Sequence, residues 1–157
     1  MNLIKNLCLI ILFIIPSIFF ISLNTSVAED NNVLSFKSSN KITDSLYIEV
    51  ARTPLEHRKG LMGRVSMQDN QGMLFIFEPA RKISMWLKNT LIPLDLIFID
   101  ISGRVVQIEE NTQPMSDNLI SSIYPVRAIL EINSGVSKKM GISLGDFVIN
   151  SFFEYNN

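Results

Sequence analysis

From Leu46 onward the apolar residues come in short runs, each closed by a turn former, and this spacing constrains the fold most tightly. Leu46, Ile48 and Val50 alternate with Tyr47 and Glu49, the period of a half-buried strand. Met73 to Phe77 runs between Gly72 and Pro79, Ile83 to Leu87 follows, and Leu94 to Ile101 is Ile-rich and too short for an ordinary helix. Ser102-Gly103 is a turn signal ahead of Arg104 to Ile108, so 94–108 reads as a hairpin. Residues 110–125 are polar, with Pro114 and Pro125, and read as a long loop. Val126 to Ile132 and Phe147 to Phe153 are the last two strands. One short helix starts at Thr53, which can cap it, with Pro54 in the first turn, Glu56 in capping-box spacing and Gly63 as the stop. A second spans Ser134 to Met140 before Gly141. Short strands with two brief helices predict a mainly β, single-domain fold over 45–153, a compact sandwich or barrel.

The N-terminus has a different character. Lys5 is the lone charge before a run of Leu, Ile and Phe from Leu7 to Leu23, and Glu29 and Asp30 are the first acids. Positive start, apolar middle and the small residues Ser26 and Ala28 are the order of a secretory signal over 1–28, cut after Ala28. Pro16 interrupts the run, whose length also touches the lower range of a membrane-spanning helix, so an uncleaved anchor is the alternative. Either way the remainder is expected on the periplasmic or extracellular face of the cell membrane. Glu29 to Asp44 is polar and aperiodic, and 29–44 reads as a flexible tether.

Cysteine and charge narrow the function classes. Cys8 is the single cysteine and lies inside the signal, so thiol enzymes, disulfide scaffolds and cysteine zinc modules are excluded from the exported domain. His57 is the only histidine, which removes multi-histidine metal sites. A net charge of −1 carries no electrostatic footprint for nucleic acid. There is no P-loop, dinucleotide fingerprint or nucleophile elbow. No cofactor and no metal is expected.

Two clusters remain. Trp86, Lys88, Asn89, Thr90 and Asp95 sit at a bend between two apolar runs, where Pro93 holds Ile92 extended. Such a bend can bind a small polar ligand, with Trp86 for stacking, Lys88 for an anion and Asn89 and Asp95 for hydroxyls. The competing reading is structural: Asn, Thr and Asp brace their own turns, and Asp95 shares strand parity with Ile97 and Ile99, which points it at the core. The second cluster is Arg58, Lys59 and Arg64 around Gly60 and Gly63, either an anion site or a solvated helix face. Met62, Met67, Met73, Met85, Met115 and Met140 are scattered, and core filling explains them better than Cu(I) binding does.

The ordered pattern Arg58-Lys59-Gly60-Leu61-Met62-x-Arg64, then Gly72-Met73-Leu74-Phe75-x-Phe77, then Met85-Trp86-Leu87-Lys88-Asn89-Thr90-x-Ile92-Pro93-Leu94-Asp95, resembles the DUF192 (UPF0127) family. Leu130-Glu131-Ile132-x-x-Gly135 and Gly141-Ile142-x-x-Gly145-Asp146 continue the match, which covers about 46–150. Leu87 departs from it, standing where members usually carry methionine, and the 111–125 loop diverges. The resemblance implies a compact β-rich fold, export, and a shared role for Lys88, Asn89, Thr90 and Asp95; it supplies no reaction.

Two functional readings follow. The first is a non-enzymatic envelope binding module for a small polar or anionic, saccharide-like ligand, held by Trp86, Lys88, Asn89, Thr90 and Asp95, with Arg58, Arg64 and Glu131 supporting. The alternative is an envelope hydrolase or lyase acting on cell-wall or carbohydrate material, with Asp95 or Glu131 as acid or base. The expected partners are a small polar ligand or an envelope protein, with no nucleic acid, and with the membrane touched only through the N-terminal segment.

Overall fold

The computed structural model describes residues 31–153, so the signal segment and its cleavage point lie outside the described residues. The elements in chain order are β1 (Val33–Lys37), β2 (Leu46–Ala51), α1 (Pro54–Lys59), β3 (Gln71–Arg81), β4 (Ser84–Met85), β5 (Leu94–Ile99), β6 (Val105–Glu109), β7 (Ile120–Ser121), β8 (Val126–Asn133), α2 (Val136–Met140) and β9 (Phe147–Ile149). The fold is mainly β, with a seven-stranded sheet in the order β6-β5-β8-β3-β2-β1-β9 and a separate two-stranded ribbon of β4 and β7. Among the described residues no helix is long and apolar enough to cross a membrane.

The sheet curls until its ends meet. The Val105 amide donates to the Asp146 carbonyl at 2.8 Å, Gly145 N–H to Val105 at 2.9 Å and Val148 N–H to Gly103 at 2.8 Å, so the entry to β6 touches the entry to β9. Strand parity then separates an inner face from an outer one. Leu74, Ile76, Ile97, Ile99, Leu130 and Ile132 point inward, where they join Val105 from one end of the sheet and Val148 from the other. Met73, Phe75, Leu94, Leu96, Phe98 and Ile129 point outward. That outer face is roofed by Leu61, just after α1, and by Ile83 and Leu87 at the two ends of the β4 segment.

The region expected as a tether over 29–44 is corrected by β1. Leu34 and Phe36 alternate with Ser35, and both are fully buried in the inner core. Three apolar residues among serines and asparagines are a weak pattern, and the strand is held between β2, the next strand in the chain, and β9, the last. Asn150 then ties the ends together, its side-chain amide donating to the Val33 carbonyl at 2.8 Å. Strand 83–87 is shorter than expected, because only Ser84 and Met85 pair, and they pair with β7 from the supposed long loop. The closing strand stops at Ile149.

The first helix starts as its sequence predicts. Thr53 Oγ1 accepts from the Glu56 amide at 3.3 Å and Glu56 Oε2 accepts from the Thr53 amide at 2.8 Å, the two halves of a capping box. It ends earlier than expected, at Gly60 and not Gly63, with φ of 42° at the cap. A Cβ at Gly60 would sit 3.1 Å from the Phe75 ring, so the chain leaves α1 close over the outer face of β3.

Candidate functional site

Between that helix end and the ribbon lies a cavity of about 270 Å³. Its walls are Leu61, Phe75, Phe77, Ile83 and Met85, with Thr90 and Glu131 among them; Arg58, Lys59, Trp86 and Leu119 form an exposed rim. The pairing order of the strands builds it. β3 lies between β2 and β8, with Met73 opposite Glu131, so the outward side chains of β3 and β8 share one surface. The β2-to-β3 connection carries α1 across that surface, and the β4–β7 ribbon borders it.

Glu131 is the chemically unusual member. It is 5% exposed, and among the described residues its carboxyl has no hydrogen-bond or ion-pair partner. Burial among apolar neighbours disfavours the charged form and pushes its pKa up to about 8. The Glu131 carboxyl therefore braces no other element. An ionisable group shifted by desolvation and opening on a cavity marks a candidate site.

His57 is tied down. Its Nε2–H donates to the Ala51 carbonyl at 3.1 Å and its ring lies 4.8 Å from that of Phe77, so it serves as a wall. Its neighbour Glu56 is occupied by the Arg52 and Thr53 amides and forms no acid–base pair with it. Ser84 also lines the cavity, but its hydroxyl bonds that of Ser121 at 2.7 Å.

Of the residues expected from the sequence, Arg58, Trp86, Thr90 and Glu131 come together at this cavity, merging parts of two clusters that sequence spacing kept apart. Four others stand elsewhere. Asp95 is fully buried on the inner face; Oδ1 accepts from the Asn111 amide at 2.9 Å, and Oδ2 accepts from the Gly135 amide at 2.9 Å, the Ser137 amide at 3.1 Å and the Ser137 hydroxyl at 2.6 Å. It is a brace between β5 and the first turn of α2, with no capacity left for a ligand. Lys88 pairs with Asp117 at 3.4 Å and lies 5.9 Å from the Trp86 ring centroid, outside the cavity lining. Asn89 takes a left-handed turn conformation, φ 57°, and its carbonyl accepts from Gly63 at 2.9 Å. Arg64 is held by Glu49 at 2.6 Å.

The walls themselves, Phe75, Phe77, Ile83 and Met85, escaped the sequence reading as site residues because apolar residues in strands look like core. Met62 and Met85 line the cavity, Met73 is buried in the outer layer, Met140 packs against the inner core and Met115 is exposed, so the methionines form no single cluster. For the buried wall of the site the signal in the sequence is one acid, Glu131, inside the apolar run from Val126 to Ile132.

The chain is similar to two crystal structures. One, described as a candidate transcription regulator from Sinorhizobium meliloti 1021, has 36% identity and a TM-score of 0.74, covering 77% of this chain and 94% of that one. The other, a protein of unknown function from Novosphingobium aromaticivorans DSM 12444, has 35% identity and a TM-score of 0.71, covering 74% and 83%. No curated protein matches. The model of DUF192, described as an uncharacterized ACR, matches residues 35–149, nearly all of the described β fold, and the chain belongs to the DUF192 family.

Proposed function

We propose that the chain is a binding module that takes a small ligand with an apolar body and a polar or anionic group into the cavity beside Glu131. The observation that carries this reading is a cavity whose one buried carboxyl has no partner among the described residues. Apolar walls with a few convergent polar groups are the ordinary make-up of a small-molecule site. Trp86, half exposed at the rim, offers a stacking face, and Arg58 offers a charge.

The lining disfavours two narrower readings. A polyhydroxylated saccharide needs many hydrogen-bond partners, and the walls are chiefly hydrocarbon. Carbohydrate hydrolysis with paired carboxylates needs a second acid; Glu131 is the only acid among the lining residues, and Asp95 is sealed on the other face of the sheet. A role on DNA, by analogy with one structural neighbour, would call for a basic surface, whereas the chain carries a net charge of −1. The N-terminal apolar run supports placement of the domain on the outer side of the cell membrane; fusing residues 1–30 to a reporter active only outside the cytoplasm tests this.

A thermal-shift screen of the full chain in mild detergent tests the binding role. A ligand at about 100 times its Kd stabilises by roughly 2.7 kcal/mol, a shift of several degrees. The expected result is a shift that disappears in Trp86→Ala and persists in Lys88→Ala. A panel of sugars, carboxylates, phosphates and amines that moves nothing would overturn the reading.

A further inference from the structure

The ionisable groups at the cavity are arranged by sign. The buried wall holds one acid, Glu131, and the exposed rim holds two bases, Arg58 and Lys59, on the last turn of α1. Neither base makes an ion pair among the described residues. An anion alone would be held by the rim and would at most accept a bond from protonated Glu131, leaving the ionised form of that acid unmatched. A cation alone would satisfy the acid but pass two like charges. A molecule with an ammonium at one end and a carboxylate at the other answers both.

Resting on the binding role above, we propose that the ligand is a small zwitterion with an apolar body, an amino acid with free amino and carboxyl groups, whose ammonium meets Glu131 and whose carboxylate meets Arg58 and Lys59. The ammonium supplies the donor that Glu131 lacks inside the protein, and a charge-assisted bond in an apolar site is a strong one. The aromatic faces of Phe75, Phe77 and Trp86 favour a nearby cation further. The apolar body lies against Leu61, Ile83 and Met85. Guanidinium and ammonium on long stems can follow carboxylates at different distances, so both α-amino acids and longer amino-carboxylates fall within the class.

Proton linkage supports the assignment. The other polar and ionisable groups lining the same cavity are His57, Arg58 and Lys59 from α1, Ser84 from β4, and Trp86 and Thr90 from the following bend; β3 and β5 contribute apolar side chains to the layer around it. Burial holds the Glu131 proton to about pH 8, so an arriving ammonium displaces it. Affinity then rises with pH up to about 8, by at most about tenfold per unit.

Trp86 is the only tryptophan, so its fluorescence reports occupancy directly. The full chain in mild detergent is titrated with phenylalanine and 6-aminohexanoate, with their N-acetyl and methyl ester forms, and with the neutral dye N-phenyl-1-naphthylamine. The expected result is that a free zwitterion saturates the signal and that either blocked form binds at least about tenfold more weakly. In Glu131→Gln the free and N-acetyl forms become equal and the pH dependence disappears. In the Arg58→Ala, Lys59→Ala double variant the acid and ester become equal. Saturable energy transfer from Trp86 to the dye, which dye dissolved in micelles does not give, shows for each variant that its cavity is intact. If the dye enters and no zwitterion does, the ligand class is overturned while the cavity remains a binding site. If neither the dye nor any zwitterion enters, both readings fall. Zwitterion binding indifferent to Glu131→Gln also overturns the proposal.

Discussion

The Ser137 hydroxyl donates to Asp95 Oδ2 at 2.6 Å, joining two residues 42 positions apart across the end of the inner core. With three backbone amides on the same carboxylate, the pair fixes α2 to β5. Asp95→Ala leaves the buried Ser137 amide and hydroxyl unmatched and releases the Asn111 and Gly135 amides, and is expected to lower stability by about 3 kcal/mol. Urea unfolding measures this. The folded fraction should bind cavity ligands as the wild type does, because Asp95 lies on the opposite face of the sheet.

Lys88→Ala should do almost nothing to stability. Its ion pair with Asp117 joins two half-exposed or more exposed side chains, and such pairs contribute less than about 1 kcal/mol. A loss well above that in the same urea experiment would show that Lys88 holds the bend before β5.

Glu131 makes stability depend on pH in an unusual direction. Its ordinary value of 4.5 rises to about 8 in the folded chain. The folded chain therefore keeps a proton that the unfolded chain loses, so this group's contribution is fully present below about 4.5 and is lost as pH rises through about 8. The slope is up to about 1.4 kcal/mol per pH unit. Unfolding curves at pH 5, 6, 7 and 8 should show the fall in the wild type and its removal in Glu131→Gln, which should also be the more stable protein at pH 8.

Gly72→Ala should be damaging although it adds one methyl group. A Cβ there would lie 2.8 Å from the Glu131 carbonyl oxygen and 2.9 Å from Ile132 Cγ2, and backbone within a paired strand cannot step aside. A cost of about 1–3 kcal/mol is expected from overpacking. Because the clash is with β8, the ligand site beside Glu131 should be disturbed too, which titration of the folded variant would reveal.

Thr53→Ala removes half of the capping box on α1 and should cost about 1 kcal/mol in thermal or urea unfolding. The helix has six residues and carries Arg58 and Lys59, so a frayed start also loosens the rim. Thr53→Ser should restore most of the loss.

Local signals are legible where the partners are local. Thr53, Pro54 and Glu56 specify a helix start within four residues, and Ser102-Gly103 specifies the β5–β6 turn. Asp95 was legible as inward-facing from its parity with Ile97 and Ile99, yet nothing nearby announced its donors, which come from residues 111, 135 and 137. The cavity was least legible. Arg58, Trp86 and Glu131 meet because β3 is inserted between β2 and β8, and strand order is a property of the whole sheet. Apolar spacing says which face a side chain takes, and leaves open which strand will lie beside it.

The clasp between Asn150 and Val33 joins positions 117 residues apart. A ribosome making this chain delivers β1 first and β9 last, so the edge of β1 waits unpaired through almost the whole of synthesis. The shell closes only when the final strand is released. A chain cut short before Phe147 would be left with an open, adhesive edge on β1 and no way to finish. Vectorial delivery, whether from the ribosome or across a membrane, therefore leaves the β1 edge to be covered by the last strand made.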